Sequence, residues 1–168
     1  MEPSQGGRGG PEAGLSRSQR VFVRALHIYF RAVRGMTLGV RAVVLNDRNE
    51  VFLLRHTYTP GWQFPGGGVE TGETLTQAMI RELAEEALIV PTGPALLHGV
   101  FFNSRISRRD HVAVYVVRDF SVTGEKRPDR EIAEARFFPL DALPEGITPG
   151  TRRRLDEIAG RAPVDEIW

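Results

Sequence analysis

The sequence predicts an α+β fold in a single domain. Short segments rich in β-branched and aromatic residues recur between residues 36 and 140, and they alternate with a few stretches that have helical periodicity and helix-end signals. The chain has 168 residues, of which 41% are hydrophobic and 26% are charged, so it is long enough for one domain with a substantial core. We therefore expect a mixed arrangement of strands with two or three helices.

The first 35 residues are expected to form a tail and a helix outside the main domain. Residues 1–15 contain five glycines and two prolines, a composition typical of a disordered tail. Residues 16–35 form a predicted amphipathic helix that stops at Gly35, with arginines interspersed among apolar residues. The apolar residues are more numerous than one buried face needs. Three roles stay open: packing on the domain of residues 36–168, contact with a second copy in a homodimer, or attachment to a membrane surface.

Strands are predicted to begin after Gly35. The segments 38–45 and 51–55 are expected to pair as a hairpin through a polar turn over residues 46–50. Later elements are three further strands, over 95–102, 111–120 and 133–138, and a last helix over 149–159.

One internal helix has strong end signals. Thr74 and Gln77 have the spacing of a capping box, and Pro91 lies just beyond the predicted end. The helix is therefore expected over residues 74–88.

Three acids lie on one face of this helix. Glu82, Glu85 and Glu86 fall within an arc of about 100°, opposite a mainly apolar face. Like charges at this spacing oppose helix formation, so a bound divalent cation would explain the cluster. A solvated acidic face is the alternative.

Composition excludes several classes of function. The formal net charge of +1 gives no signal for nucleic-acid binding, and the absence of cysteine excludes disulfides, thiolate metal sites and cysteine nucleophiles. The sequence has neither an apolar run of membrane-spanning length nor the apolar region of a signal peptide, so integral membrane association is not expected. The expected location is the cytoplasm.

The residues that lead into the acidic helix have a characteristic spacing. Gly67 is followed by Glu73 and then by the run Arg81-Glu82-Leu83-Ala84-Glu85-Glu86-Ala87-Leu88-Ile89. This segment closely resembles the Nudix box of the Nudix hydrolases, G-x5-E-x7-R-E-U-x-E-E-x-G-U, in which U is a bulky aliphatic residue. The one departure is Leu88, which stands where the family has glycine. The resemblance implies a Nudix-like α/β/α sandwich, with a mixed β-sheet and the box helix packed on it.

The resemblance also implies a metal site. In the family the corresponding acids bind Mg²⁺ or Mn²⁺, which implies Glu82, Glu85 and Glu86 as ligands here, joined by the backbone carbonyl of Gly66. Glu82 is also the implied base that activates water. Mg²⁺ prefers oxygen ligands, and hydrolysis of a diphosphate needs charge neutralisation, a positioned water and a base.

Three other positions of the box have implied structural roles. Arg81 and Glu73 are expected to brace the loop and to orient the carboxylates. The usual glycine at position 88 allows a left-handed residue at the helix exit. Leu88 therefore leaves two possibilities, an ordinary helical end or a leucine held at positive φ.

Two residues outside the box are also candidates for the site. Glu131 precedes a segment that resembles the late strand of the family, and it is the preferred extra metal ligand, against the alternative of a solvated surface acid. For His56 a structural role is favoured over substrate contact.

The substrate-binding candidates are Arg55, Tyr58, Trp62 and Gly67. Arg55 and Tyr58 could contact a polyphosphate or a base, and the flat surface of Trp62 could stack on a nucleobase, although core packing is equally expected for a tryptophan at this place. Gly67 belongs to a glycine turn whose backbone can approach metal and phosphates closely, because no Cβ intervenes.

These observations predict an Mg²⁺-dependent hydrolase that cleaves a pyrophosphate bond in a nucleoside diphosphate linked to another moiety. Its partner would be a small nucleotide-type diphosphate and not a nucleic acid. The alternative is a catalytically silent Nudix-fold domain that binds a nucleotide and regulates another protein. Retention of the charged positions of the box argues against the alternative, namely Glu73, Arg81, Glu82, Glu85 and Glu86.

Overall fold

The computed structural model describes residues 17–168. The chain falls into two compact units, one ending at Gly35 and the other spanning residues 36–168, and the first unit contains the helix α1 (Arg17–Arg34). The predicted tail over residues 1–15 lies outside the described residues. In the part of the chain that is described, none of the helices combines the length and apolarity needed to cross a membrane.

The second unit contains the mixed α and β elements that the sequence predicts. In chain order they are β1 (Thr37–Val44), β2 (Glu50–His56), α2 (Leu75–Ala87), β3 (Ile89–Pro91), β4 (Leu96–Phe102), β5 (Asp110–Val117), β6 (Phe120–Val122), β7 (Ile132–Pro139) and α3 (Pro149–Ile158). β5 pairs in parallel with β1 and antiparallel with β4, which makes a mixed sheet of order β1-β5-β4. The pairs β2-β7 and β3-β6 are antiparallel.

The prediction that the first two strands pair as a hairpin is wrong. β1 and β2 lie in different sheets, and they are joined only by one isolated bridge between Leu45 and Val51. One edge of β1 pairs with β5, while along the other edge the amides of Val40 and Ala42 donate to the carbonyls of Gly67 and Pro65. Both edges of β1 are therefore occupied, and β2 pairs with β7 instead.

Two short strands are additional to the sequence prediction. The predicted strand over residues 111–120 is interrupted, so that Phe120–Val122 forms a separate strand, β6, that pairs with Ile89–Pro91 in β3. Each has only three residues, which is too few to show an alternating pattern in the sequence.

The sandwich follows from the alternation of side chains along the central strands. From β1, Val40, Ala42 and Val44 lie in one core cluster with Met79 and Leu83 of α2. The neighbouring β1 residue Val43 faces the opposite way, into a second cluster that contains Leu155 of α3. Apolar side chains on both faces of the sheet thus place α2 on one side and α3 on the other.

The start and end of α2 are set by local chemistry. Thr74 and Gln77 form the predicted capping box, in which the Thr74 hydroxyl accepts from the Gln77 amide and the Gln77 side chain accepts from the Thr74 amide. At the other end Leu88 has φ 53° and ψ 38°, the left-handed conformation. Its amide donates to the Leu83 carbonyl, and its own carbonyl accepts from the Thr123 amide at 2.8 Å. Leu88 therefore reverses the chain directly from α2 into β3.

The left-handed Leu88 predicts an inverted preference between alanine and glycine. Leu88→Gly should be more stable than Leu88→Ala by about 1 kcal/mol, because both changes remove the side chain but only alanine keeps the Cβ that is strained at positive φ. Thermal or urea unfolding of the two variants measures the difference.

A matched control lies one turn earlier in the same helix. At the exposed helical position Ala84, glycine should be less stable than alanine by about 1 kcal/mol. If glycine is also the less stable residue at position 88, the left-handed helix exit is refuted.

Candidate active site

The glycine turn, Gly66 to Gly68, can lie directly against β1 because Gly66 and Gly67 have no side chains. Gly66 has φ +140°, and a Cβ there would overlap the carbonyl of Val40 and lie 2.9 Å from the Cα of Arg41. A Cβ on Gly67 would fall on the carboxylate of Glu82, with 2.7 Å to its Cδ. The two glycines thus bring the backbone of the turn into direct contact with β1 and with α2, which is the box helix.

Glu86 ties the glycine turn to the box helix. Its carboxylate is buried, with 9% of the residue exposed. One oxygen, Oε2, accepts from the Gly66 amide at 2.7 Å, and the other, Oε1, lies 2.8 Å from Nε2 of His56. Both oxygens of this predicted metal ligand are therefore engaged by protein groups.

His56 is held in one tautomer by its second partner. The side-chain amide nitrogen of Gln63 lies 2.5 Å from Nδ1 of His56. An amide nitrogen can only donate, so Nδ1 is the acceptor and the ring hydrogen sits on Nε2, where it is donated to Glu86. The structure thus forms a continuous chain of hydrogen bonds from Gln63 through His56 and Glu86 to Gly66.

Arg81 connects the loop to the helix. Its guanidinium donates twice to Glu73, at 2.8 and 3.1 Å, once to the Gly68 carbonyl at 3.0 Å and once to Glu82 at 2.7 Å. These hydrogen bonds from Arg81 lower the pKa of Glu73 to about 2. Glu73 is therefore an anion at neutral pH, and the Glu73–Arg81 pair locks residues 68–73 onto α2.

Glu82 lies beside Glu86 in a partly buried environment. Burial raises the pKa of Glu82, and the negative charge of Glu86 raises it further, while the hydrogen bond from Arg81 opposes the shift. Its Oε1 accepts from Arg81, whereas among the described residues Oε2 accepts no hydrogen bond. One carboxylate oxygen thus remains available next to the glycine turn.

Arg41 of β1 brings a partly buried positive charge to the same place. Its Nη1 donates to the carbonyls of Phe64 and Gly66, at 2.9 and 2.7 Å. Burial lowers the pKa of Arg41, and the carboxylates of Glu86 and Glu82 oppose the shift. The Gly66 carbonyl, a predicted metal ligand, therefore already accepts one hydrogen bond and keeps its second lone pair.

The other two predicted acidic ligands lie at the surface. The side chain of Glu85 is 61% exposed and approaches Arg81 at 3.6 Å. Glu131 is exposed in the loop before β7, and its carbonyl accepts from the Thr57 amide next to Tyr58. Among the described residues, no group of three or more His, Cys, Asp or Glu side chains is gathered as a complete metal-binding set.

The predicted substrate-binding residues divide between surface and core. Tyr58 is 70% exposed, and its ring lies 5.0 Å from that of His56. Trp62 lies in the core with 7% of its surface exposed and packs edge-on against Phe138. Arg55 pairs with Glu134 at 3.4 Å and lies over the Trp62 ring. In this arrangement Trp62 packs as a core residue, which was the alternative interpretation of the sequence.

A cavity of about 440 Å³ opens beside His56 and Tyr58. Its lining includes residues that sequence reasoning missed, namely Arg41, Asn103, Arg105, Arg153 and Trp168. A second cavity of about 300 Å³ shares Arg41 and Asn103 with the first and reaches Gly67 and Gly68. The two cavities together make a groove that runs from the glycine turn past Arg41 to the N-terminal turn of α3. No local pattern in the sequence marks these residues, because they come from β1, from the loop after β4, from α3 and from the last residue of the chain.

Comparisons with known proteins agree with this geometry. The family model described as NUDIX domain matches residues 35–158. An ADP-ribose pyrophosphatase of Methanocaldococcus jannaschii is 32% identical over 119 residues, which are 69% of this chain and 69% of the relative. An RNA pyrophosphohydrolase of Francisella tularensis subsp. mediasiatica is 49% identical over 57 residues, which are 34% of this chain and only 37% of the relative.

Solved structures lead to the same family. The crystal structure of a MutT NUDIX hydrolase from Burkholderia pseudomallei superimposes with a TM-score of 0.63 at 28% identity, covering 73% of this chain and 97% of the other. The family model covers most of the chain, and the box over residues 67–89 lies within the matched region. The chain belongs to the Nudix hydrolase family.

Proposed function

We propose that the protein is an Mg²⁺-dependent pyrophosphohydrolase, also active with Mn²⁺, that cleaves a pyrophosphate bond in a nucleoside diphosphate linked to another moiety. The observation that carries this proposal is the convergence of Glu82 and Glu86 on the Gly66-Gly67 backbone at one end of a groove lined by arginines. Carboxylates, close backbone and cationic side chains are what binding and hydrolysis of a diphosphate require.

The residues around the glycine turn fit a hard divalent cation. Nudix hydrolases generally need a divalent metal, typically Mg²⁺. The atoms that could coordinate a metal here are all oxygens, from Glu82, Glu86 and the Gly66 carbonyl. Gly67 has no Cβ to fill the space in front of Glu82. Glu85 and Glu131 would join from the surface. When bound, the ion neutralises charge on phosphate oxygens and makes water more acidic.

Glu82 has the properties of the base. Burial raises its pKa, which makes the carboxylate a stronger acceptor for the proton of the attacking water. Arg81 holds one of its oxygens, so the orientation of the carboxylate is set and the other oxygen is left to accept that proton. Arg81 in turn is oriented by Glu73.

The groove also has groups that suit the parts of a substrate beyond the cleaved diphosphate. Arg41, Arg105 and Arg153 line the larger cavity, where guanidinium groups suit phosphate oxygens. The rings of Tyr58 and Trp168 line the same cavity and offer flat apolar surface to a base or a sugar. A volume of about 440 Å³ accommodates a nucleoside-sized group. The two relatives are named a pyrophosphatase of ADP-ribose and a pyrophosphohydrolase of RNA, so both names describe pyrophosphate chemistry.

A second function is favoured by the hydrogen bonds of Glu86. Both of its oxygens accept from protein donors, and the Gly66 carbonyl accepts from Arg41, so each of these groups has a protein partner without a metal ion. A catalytically silent domain that binds a nucleotide could keep such a network without metal. Metal-dependent turnover separates the two functions.

A hydrolysis screen tests the proposed function. Nucleoside triphosphates, nucleotide sugars, ADP-ribose, dinucleotides, dinucleoside polyphosphates and 5′-triphosphorylated RNA are incubated with Mg²⁺, with Mn²⁺ or with chelator, and product analysis locates the broken bond. Metal-dependent release of two phosphate-containing products supports the enzyme. Nucleotide binding without turnover in every metal condition supports the silent domain.

Glu82→Gln should lower kcat/KM by at least roughly 100-fold while the melting temperature is retained, because the change keeps the shape but removes the anionic oxygen. Glu145→Gln is the matched control, since Glu145 is an exposed acid that does not line the groove. Wild-type kcat/KM in Glu82→Gln on a verified substrate would remove Glu82 from the site.

His56→Asn and His56→Gln should differ in metal affinity. The side-chain amide of glutamine reaches about as far as Nε2 and can still donate to Glu86, whereas that of asparagine is too short. We expect Mn²⁺ affinity, measured by electron paramagnetic resonance, to fall by roughly 10- to 100-fold in His56→Asn and by clearly less in His56→Gln. Equal losses in both variants would show that His56 does not act through this hydrogen bond.

Divalent metal should bind weakly alone and more tightly with a diphosphate ligand. Mg²⁺ dehydrates reluctantly and often completes its shell with substrate phosphates, and here Glu86 and the Gly66 carbonyl already accept protein hydrogen bonds. Calorimetric titration of Mg²⁺ with and without a non-hydrolysable diphosphate measures the coupling. A ligand affinity that is unchanged by Mg²⁺ would instead favour the silent domain.

A further inference from the structure

The helix α1 separates charge from apolar surface along its whole length. At 3.6 residues per turn, positions 17, 20, 24, 27, 31 and 34 fall within an arc of about 100°, and the sequence has five arginines and one histidine at these positions. The other arc, of about 220°, holds apolar residues except for Ser18 and Gln19. Arg17–Arg34 contains no aspartate or glutamate.

Most of the apolar side chains that the structure describes on this arc are exposed, whereas Val23 and Phe30 at its edge are partly buried. Val21 is 63% exposed, Phe22 67%, Ile28 68% and Tyr29 57%. A helix on the surface of a soluble domain normally buries an apolar stripe and shows water a face with charges of both signs. The charged residues of α1 are all basic, and its apolar arc is wider than such a stripe.

The charge pattern identifies the surface that this helix fits. We propose that α1 lies in the plane of a lipid bilayer that carries anionic headgroups, with its apolar arc among the acyl chains and its arginines on the lipid phosphates. A cationic strip beside a broad apolar arc that contains aromatic residues is the pattern of interfacial helices. The whole chain has a net charge of +1, so with five positive charges in α1 the rest of the chain carries −4. The attraction to anionic lipid is therefore concentrated in this helix.

A second copy of the chain fits the helix less well. Phe22, Leu26, Tyr29 and Val33 have heptad spacing, but they span only about two heptads, whereas a pattern sustained over three to four heptads is the usual sign of a coiled coil. A two-helix seam would also leave Val21 and Ile28 in water, since both lie outside it. A bilayer buries the whole apolar arc and attracts every arginine.

Vesicle sedimentation of the full chain tests the proposal. The protein should bind vesicles of equimolar phosphatidylcholine and phosphatidylglycerol, bind vesicles of phosphatidylcholine alone much more weakly, and lose affinity as salt is added. Arg17→Gln with Arg34→Gln should lower affinity for the anionic vesicles on the order of tenfold. Absence of binding to anionic vesicles overturns the proposal.

Apolar variants distinguish a bilayer from other occupants. Phe22→Gln with Ile28→Gln keeps every charge and should lower vesicle affinity by roughly 100-fold with no change in melting temperature. Leu96→Gln, which removes an apolar residue that is 66% exposed in the second unit, is the control and should bind like wild type. Undiminished binding of the double variant would indicate simple attraction to a polyanion and would refute the proposal.

Two further outcomes would also refute it. A lower melting temperature in the double variant would mean that α1 packs on residues 36–168, and a dimer that dissociates in that variant would mean that a second copy covers the helix. Val21→Gln with Tyr29→Gln repeats the test on a different part of the same arc. Because none of these residues belongs to the proposed active site, hydrolysis of soluble substrates should be unchanged.

Discussion

The buried carboxylate of Glu86 is the interaction on which the arrangement of the site depends. It accepts from the Gly66 amide on one side and from His56 on the other, so a single side chain fixes α2 to both the glycine turn and β2. Removing a carboxylate from water costs several kcal/mol, and hydrogen bonds to a charged group, at about 1.5–3 kcal/mol each, offset that cost only when both are made. The turn and the helix are therefore coupled, because a shift of either one would leave a buried charge without its partner.

Arginines balance the carboxylates from two directions. Arg41 reaches the Gly66 carbonyl from beneath the turn, within the field of Glu86 and Glu82, and Arg81 holds Glu73 and Glu82 from the outer side. The arginines thus offset part of the repulsion between the carboxylates, which still raises the pKa of Glu82. Such preorganisation is useful for phosphoryl chemistry, since the protein does not have to rearrange its dipoles when charge develops on the substrate.

Leu88 shows how the fold tolerates a departure from the family pattern. A leucine in the left-handed region carries steric strain, of about 1–2 kcal/mol. Hydrogen bonds on both sides keep Leu88 in this conformation, from the Leu88 amide to the Leu83 carbonyl and from Thr123 to the Leu88 carbonyl. The start of β3 at the next residue also fixes it. Leucine makes this left-handed turn more costly than glycine would, and every carboxylate of the box lies before it.

The sequence by itself determined the elements whose causes are local. The capping box and the charged residues of the Nudix box lie close together in the sequence, so the box helix and its family could be recognised without a structure. They are Thr74 and Gln77, and Glu73, Arg81, Glu82 and Glu86. Tertiary structure decided the rest. The pairing of β1 depended on which segments would occupy its two edges, and Trp62 had flat surface for either a ligand or the core. Arg41, Arg105 and Arg153 come together only when β1, the loop after β4 and α3 pack against one another. These outcomes are decided by competition for the same hydrogen bonds and the same buried volume among segments far apart in the chain, which no local pattern records.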